Sequence, residues 1–373
     1  MSANAQAAWE HYREETLHTI QPILADLGFI LDETQVHVGG ERYLTTLARD
    51  VGGGGYKLVL TGKRAQDGAR VVIKVSNDPQ GIREMERERE CRQVLHTITF
   101  AVRAFHTPEE LLYTKHGDFV ISITSYVEQE RAFIEHSLDE QFFLVLRAFE
   151  AQEGVHATTH EHAQAIKKTF GSVTADDYLH KFDTFVAQVR HHLPDRTHLH
   201  ETLDRGREFL HTHKTTVARY CGFLTHADFV PNNLRVAHRD IFLLDYASIH
   251  FGNKYESWAR FLNFMIHHNA TLEQTLAEYV RTNRNAEEYL SLRLMRVYKI
   301  GFLLAFYAQA LAKTSGNLRT LTEGRLVLWQ EVMDAILKDQ PVPETIVSTY
   351  VEKMNTLRSE DEKARQREIL GGR

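Results

Sequence analysis

Asp228 is followed five residues later by Asn233 and seventeen residues later by Asp245. An aspartate, an asparagine and a second aspartate at these separations suit phosphoryl transfer from a nucleoside triphosphate. In that chemistry Asp228 orients an acceptor hydroxyl and takes its proton. Asn233 and Asp245 supply hard oxygen donors for Mg²⁺, and phosphates and waters complete the shell. Two triplets of similar spelling are set aside by their surroundings. His116-Gly117-Asp118 has Ile123 where the second ligand should stand, and it separates two strand-like runs as a hairpin turn does. His238-Arg239-Asp240 lies between the short runs 234–236 and 241–244. It too is a turn, one that delivers Asp245 at the end of a strand.

These residues need a scaffold. Residues 8–27 form a helical pattern, with Trp9, Leu17, Ile20, Ile23, Leu24 and Leu27 on one stripe and Gly28 as its stop. Strand-like runs follow at 41–48, 56–63 and 69–76. Between the first two lie Gly52, Gly53, Gly54 and Gly55, a run whose backbone can take any φ and crowd its N–H groups towards an anion. Lys74 then interrupts the apolar strand 71–75. A lysine there either snorkels at an edge or points into a cleft to meet phosphate oxygens, and the order of glycine loop, strand and lysine favours the cleft.

The next helical stretch, 82–98, carries Glu84, Glu86, Glu88 and Glu90. Its buried face is marked by Cys91, Val94, Leu95 and Ile98, and Glu88 lies nearest to it. Glu88 is the first choice as partner of Lys74, with Glu84 and Glu90 as alternatives. Residues 119–127 read as the last strand of the sheet. From 138 onward the pattern is helical almost throughout, and the charged tail 359–373 is expected to fray.

His226-Ala227-Asp228-Phe229-Val230-Pro231-Asn232-Asn233 resembles the His-Gly-Asp-x-x-Pro-x-Asn catalytic loop of the aminoglycoside phosphotransferase and choline kinase-like family. Ala227 stands where glycine is usual. Asp245 is similar to the family's metal-binding aspartate. Residues 257–262 are similar to the helix that the family opens with Asp-Leu-Ala, with Ser257 in place of that aspartate. The aspartate ties the loop to the helix, so Glu256 or the Ser257 hydroxyl would have to replace it.

The resemblance implies an α+β, bilobal, protein-kinase-like fold. A small antiparallel-sheet N-lobe would span 1–127, and a larger, mostly helical C-lobe would span 128–373. It also implies ATP, or GTP, bound with Mg²⁺, the phosphates meeting Gly52 to Gly55 and Lys74. Lys74 would pair with a helix glutamate, and Met85-Glu86-Arg87-Glu88-Arg89 is similar to the family's pattern there. Adenine would be read by main-chain groups at Ser125 and Val127. The acceptor would be a hydroxyl of an aminoglycoside, choline, a sugar or a related small molecule, and fold alone does not choose among them.

Length and composition narrow the field. The 373 residues can hold two packed lobes, and 43% hydrophobic with 25% charged residues describes a globular chain. A net charge of -6 leaves no basic footprint for nucleic acid. No uninterrupted apolar run approaches the ~18 residues of a membrane span, so no membrane partner is expected. The start has no signal-peptide pattern, and Cys91 and Cys221 stand alone, which suits a reducing cytoplasm. The 22 histidines include the clusters His156, His160 and His162; His191 and His192; His198 and His200; His211 and His213. They fall on polar helical segments and read as solvated faces, not as a zinc site.

Only eleven residues separate Asp245 from Ser257. That leaves no room for the activation segment of a protein kinase and points to a small acceptor. A non-catalytic nucleotide-binding scaffold is the alternative from another class. Ser257 favours it; the joint presence of Lys74, Asp228, Asn233 and Asp245 speaks against it. For a cationic acceptor, residues 176–183 with Tyr255, Glu256 and Trp258 offer carboxylates and aromatic rings. Oligomeric state is not legible.

Overall fold

The computed structural model describes residues 2–44, 54–97, 106–158 and 163–370. Gly52, Gly53 and the 45–48 part of the expected first strand lie outside them.

A small sheet comes first. Five antiparallel strands, β1 (Phe29–Leu31), β2 (Leu58–Arg64), β3 (Arg70–Ser76), β4 (Glu110–His116) and β5 (Phe119–Ser125), lie in the order β1-β2-β3-β5-β4. Alternation decides which side of the sheet each residue serves. Leu58, Leu60, Val71, Ile73 and Val75 are fully buried and form one core with Trp9, Ile20 and Leu24 of the Ser2–Asp26 helix. Lys74 sits opposite Val59 and so projects from the other face. Gly117, at φ +59°, makes the β4–β5 turn, so His116-Gly117-Asp118 is a hairpin turn and no catalytic triplet.

The first expected strand is misplaced. Gly28, at φ +84°, ends the N-terminal helix and hands the chain to β1. Residues 41–43 belong instead to a 3-10 turn, Gly40–Tyr43. It is held by tertiary partners: the Glu41 carboxylate pairs with Arg325 at 2.7 Å, and the Glu41 N–H bonds the Glu362 carboxylate at 3.0 Å.

The tail does not fray as expected. Glu360–Leu370 is a helix in which Glu362, Ile369 and Leu370 are buried. It packs on the turns Val36–Val38, Gly40–Tyr43 and Pro231–Asn233. A side chain at Gly40 would collide with Glu362, so glycine is needed there for close approach as well as for its φ of +66°.

The larger, mostly helical part has its own core around the Ala286–Leu311 helix. Against it pack Ala175–His192, Thr197–Thr212, Glu256–Met265 and Gly316–Leu337. The central helix is long and apolar enough to cross a membrane, yet 83% of its apolar window is buried inside the protein. It is the core helix of this part. Two short hairpin-like pairs interrupt the helices: β6 (Phe223–His226) with β9 (Ile249–Gly252), and β7 (Leu234–Ala237) with β8 (Asp240–Leu243). His238 and Arg239, at φ 52° and 65°, form the two-residue turn of the β7–β8 pair, so His238-Arg239-Asp240 is likewise a turn. The architecture is thus α+β, a small antiparallel sheet followed by a larger helical part.

Candidate active site

The chain brings its catalytic-type residues together over a short span. β6 leads into Asp228, and the β7–β8 hairpin returns the chain to Asp245. The Leu244 N–H donates to the Asn233 carbonyl at 3.0 Å, and the Ala227 N–H to the Ser248 carbonyl at 2.8 Å. Ala227 is not among the described non-glycine residues with positive φ, so its methyl group carries no backbone penalty.

His226 fastens the two loops from inside. Its Nδ1 accepts the Asp228 N–H at 3.2 Å, so Nε2 carries the proton and donates to the Asp245 carbonyl at 2.5 Å. Burial lowers its pKa despite the nearby carboxylates and keeps the ring neutral, as this bonding requires.

Asp228 is held on both oxygens. Asn233 Nδ2 donates to its Oδ2 and to its carbonyl, both at 2.9 Å, and Arg260 Nε donates to Oδ1 at 2.8 Å. The Asp228 side chain is still 42% exposed and open to an acceptor. Asn233 spends its amide nitrogen here and keeps its Oδ1 as a donor oxygen.

Ser257 ties the loop to the Glu256–Met265 helix. Fully buried, its Oγ accepts from the His226 N–H at 2.8 Å, lies 2.6 Å from Thr225 Oγ1 and donates to Gln152 Oε1 at 2.7 Å. Glu256 points elsewhere, into a buried network with Lys299, His250 and the Tyr178 hydroxyl. Burial alone would raise its carboxyl, but Lys299 and His250 outweigh that and hold it well below the usual range. Ser257→Ala leaves the His226 N–H unsatisfied and is expected to cost about 1–3 kcal/mol. Urea unfolding reads this as a lower midpoint with an unchanged slope; an unchanged midpoint would take Ser257 out of this role.

On the sheet side, Lys74 Nζ reaches both Glu88 oxygens at 2.6 Å and the Leu244 carbonyl at 3.2 Å. Glu88 is only 4% exposed. Glu84 is engaged differently, accepting from the Gly55 N–H at 3.1 Å and lying 3.5 Å from Lys57 Nζ, while Glu90 is exposed. The Gly55 amide is therefore spent within the protein, and a Cβ there would fall on Gly81 N and the Asp78 carboxylate. Gly54 lies beside Glu84. At the end of β5 the Ser125 N–H is taken by the Glu109 carbonyl at 2.9 Å. Val127 follows outside the strand, partly exposed.

Asp245 Oδ1 accepts from the Ala247 N–H at 3.1 Å and Oδ2 from Ser248 Oγ at 3.2 Å. Burial pushes its pKa up, but Lys57 and Lys74 pull it down, and the net direction is downward. The carboxylate stays charged, as a metal ligand must.

Two residues of this site, Lys57 and Arg260, escape a reading by motif, as does the bonding role of His226. Lys57 does carry a signal, since it is two residues from Val59 and so shares the Lys74 face. Arg260 lies one turn beyond Ser257, on the side that meets the loop. The acceptor candidates fare worse. Tyr255, Glu256 and Trp258 are buried. Asp177 caps its own helix through Thr174, and Asp183 bonds Arg207. Among the described residues no three His, Cys, Asp or Glu side chains converge on a metal position; His211 reaches Asp183, and His200 bonds the Leu193 carbonyl.

No family profile matches the chain, and no curated protein matches it in sequence. Solved structures do match it. A thermostable mutant of aminoglycoside phosphotransferase APH(4)-Ia in its apo form superposes with a TM-score of 0.56 at 17% identity, covering 76% of this chain and 91% of that one. The chain has the fold of the aminoglycoside phosphotransferases. The ternary complex of APH(4)-Ia with AMP-PNP and hygromycin B matches at 0.53, with 17% identity, 76% of this chain and 90% of that chain. An aminoglycoside phosphotransferase from Alicyclobacillus acidocaldarius matches at 0.51, with 15% identity, 79% and 90%. At these identities the aminoglycoside phosphotransferase fold is what is shared, and the site must argue its own chemistry.

Proposed function

We propose that this chain is an ATP-dependent phosphotransferase that moves the γ-phosphate to a hydroxyl of a small molecule. Its N-lobe would span 1–127 and its C-lobe 128–373, with nucleotide in the cleft between them. One observation carries the reading: an exposed aspartate, Asp228, oriented by two donors, stands beside a charged Asp245 that two lysines face. A binding-only protein has no use for the first of these. The fold adds weight, since a structure of the same fold holds AMP-PNP and hygromycin B.

In this reading Lys74 and Lys57 meet the phosphate oxygens, helped by Gly52, Gly53 and Gly54; Gly55 is withdrawn from that set. The Ser125 carbonyl and the Val127 N–H read the base, of ATP or of GTP. The acceptor oxygen attacks the γ-phosphorus, the bond to the β–γ bridging oxygen breaks, and the acceptor proton passes to Asp228. Asn233 and Arg260 fix the Asp228 carboxylate so that one lone pair faces the acceptor. The Asn233 Oδ1 and the Asp245 carboxylate are hard donors suited to Mg²⁺, and they would hold it. When bound, Mg²⁺ neutralises phosphate charge.

The scaffold alternative loses its support, because the Ser257 hydroxyl bonds the loop that the missing aspartate would have held. The chain from Asp245 to Glu256 is used up by a 3-10 turn, Tyr246–Ser248, and β9, which leaves no activation segment for a protein kinase. Calorimetry should find tighter ATP binding with Mg²⁺ than with EDTA, since two donors and two lysines act on one charge cluster. Equal affinities would sink the metal assignment. Acceptor-dependent release of ADP across a hydroxyl-compound panel then tests the activity itself.

A further inference from the structure

Positive charge collects beyond Asp228, and of it only Arg260 has a part in the transfer step. Arg260, bonded to Asp228, also lies over the Phe264 ring, 5.9 Å from its centroid. Phe264 stacks on His268 at 4.4 Å, and His268 lies 4.4 Å from His267. The His267 ring meets Tyr350 edge-on at 5.4 Å, and the Tyr350 hydroxyl accepts from Arg325 Nε at 3.4 Å. Arg358, at the corner between the last two helices, has its Nε buried, and its charge opposes protonation of His267 together with those of Arg325 and Arg260.

Three polar atoms in this cluster are buried without a partner: His267 Nδ1, Arg325 Nη1 and Arg358 Nε. Arg325 is 4% exposed. Arg260 has Asp228 and Arg325 has Glu41, but Arg358 has no carboxylate partner among the described residues. Burial and the surrounding cations hold His267 neutral, and burial and Arg358 bring His268 down to about 4. Each unsatisfied buried donor costs about 1–3 kcal/mol, a cost that a ligand bearing acceptor oxygens would remove. Guanidinium forks match the oxygens of a carboxylate or phosphate and repel an ammonium group.

We propose that Arg358, Arg325 and Arg260, with His267 and His268, bind an oxyanion carried by the acceptor. The substrate is then an acidic hydroxy compound, not a polycationic aminoglycoside. This rests on the phosphotransferase reading, with the nucleotide phosphates assigned to Lys57 and Lys74.

The test uses the full chain saturated with AMP-PNP and Mg²⁺, so that the nucleotide phosphate positions are filled. Calorimetry with inorganic phosphate, and separately with acetate, asks which oxyanion the cluster takes. Phosphate or acetate should bind, and Arg358→Gln should weaken that binding about tenfold or more, the size of one charge-assisted hydrogen bond. AMP-PNP affinity should not change. Arg358→Lys, which keeps the charge but loses the fork, should fall between. In turnover, glycerol 3-phosphate and glycerate should be better acceptors than glycerol and hygromycin B. No anion binding to the nucleotide-saturated chain, or binding and turnover indifferent to Arg358→Gln, overturns the proposal. Failure of AMP-PNP to bind sinks the phosphotransferase reading and with it the acceptor assignment. Phosphate binding that Arg358→Gln abolishes would then still mark an anion site, which separates the two failures.

Discussion

Asp228→Asn should leave Mg²⁺·ATP affinity nearly unchanged while phosphate transfer falls by about 10²–10⁴-fold, the worth of general-base assistance. The geometry makes this a clean substitution. Asparagine keeps the size of the side chain, and its amide oxygen can still accept from Asn233 Nδ2 or Arg260 Nε, which now reach the two carboxylate oxygens at 2.9 and 2.8 Å. What it loses is the charge that takes the acceptor proton and the ion pair that holds Arg260. Lys57, Lys74 and Asp245 are not its bonding partners, and Asn233, the other donor assigned to the metal, bonds it through Nδ2 and not through Oδ1. Calorimetry with AMP-PNP and single-turnover transfer to an accepted substrate measure the two effects separately. If the variant keeps most of its transfer rate, Asp228 is not the base. If nucleotide affinity falls in parallel with rate, its part is in binding instead.

The site divides into what local pattern can state and what only packing can. Asp228, Asn233 and Asp245 were legible because one loop and one hairpin carry all three, so spacing along the chain nearly fixes spacing in space. Lys74 was legible because a charge in an apolar strand must leave the core, and Glu88 because helical periodicity put it near the buried face. Ser257 was harder. Its type suggested a loss, and only its bond to the His226 N–H reveals that a hydroxyl does the aspartate's work.

The errors have a physical source as well. The tail 359–373 is charged, and a charged terminus with no partner in view reads as frayed. Its Glu362 is buried because it accepts the Glu41 N–H, 321 residues away in sequence. The same contact, with Arg325 on the Glu41 carboxylate, turns 41–43 into a 3-10 turn where apolar content suggested a strand. Tyr255, Glu256 and Trp258 offered acceptor chemistry by type alone, and all three are buried. Residues recruited from distant helices, Arg260 and Arg358 among them, carry no local signature of what they face.

Lys74→Met should lower turnover by about 10²-fold or more, the usual cost of removing one donor aimed at developing charge. It should also destabilise the chain, which the sequence by itself did not foretell. Glu88 is 4% exposed, and both its oxygens bond Lys74 Nζ at 2.6 Å. Removing the lysine strands a buried carboxylate, and breaking such a pair from one side costs about 3–5 kcal/mol. Loss of rate in the single variant is therefore ambiguous between a missing phosphate ligand and a damaged fold. The double substitution Lys74→Met with Glu88→Leu separates them, since it removes both charges and fills the space with apolar atoms. Urea unfolding of the double variant should recover most of the lost stability, a coupling that a double-mutant cycle quantifies. Transfer should not recover at all, because no cation stands in place of Lys74 to meet the phosphates. Stability losses that simply add would deny the pair its energetic reality. Recovery of turnover together with stability would show that Lys74 serves the fold and touches no phosphate.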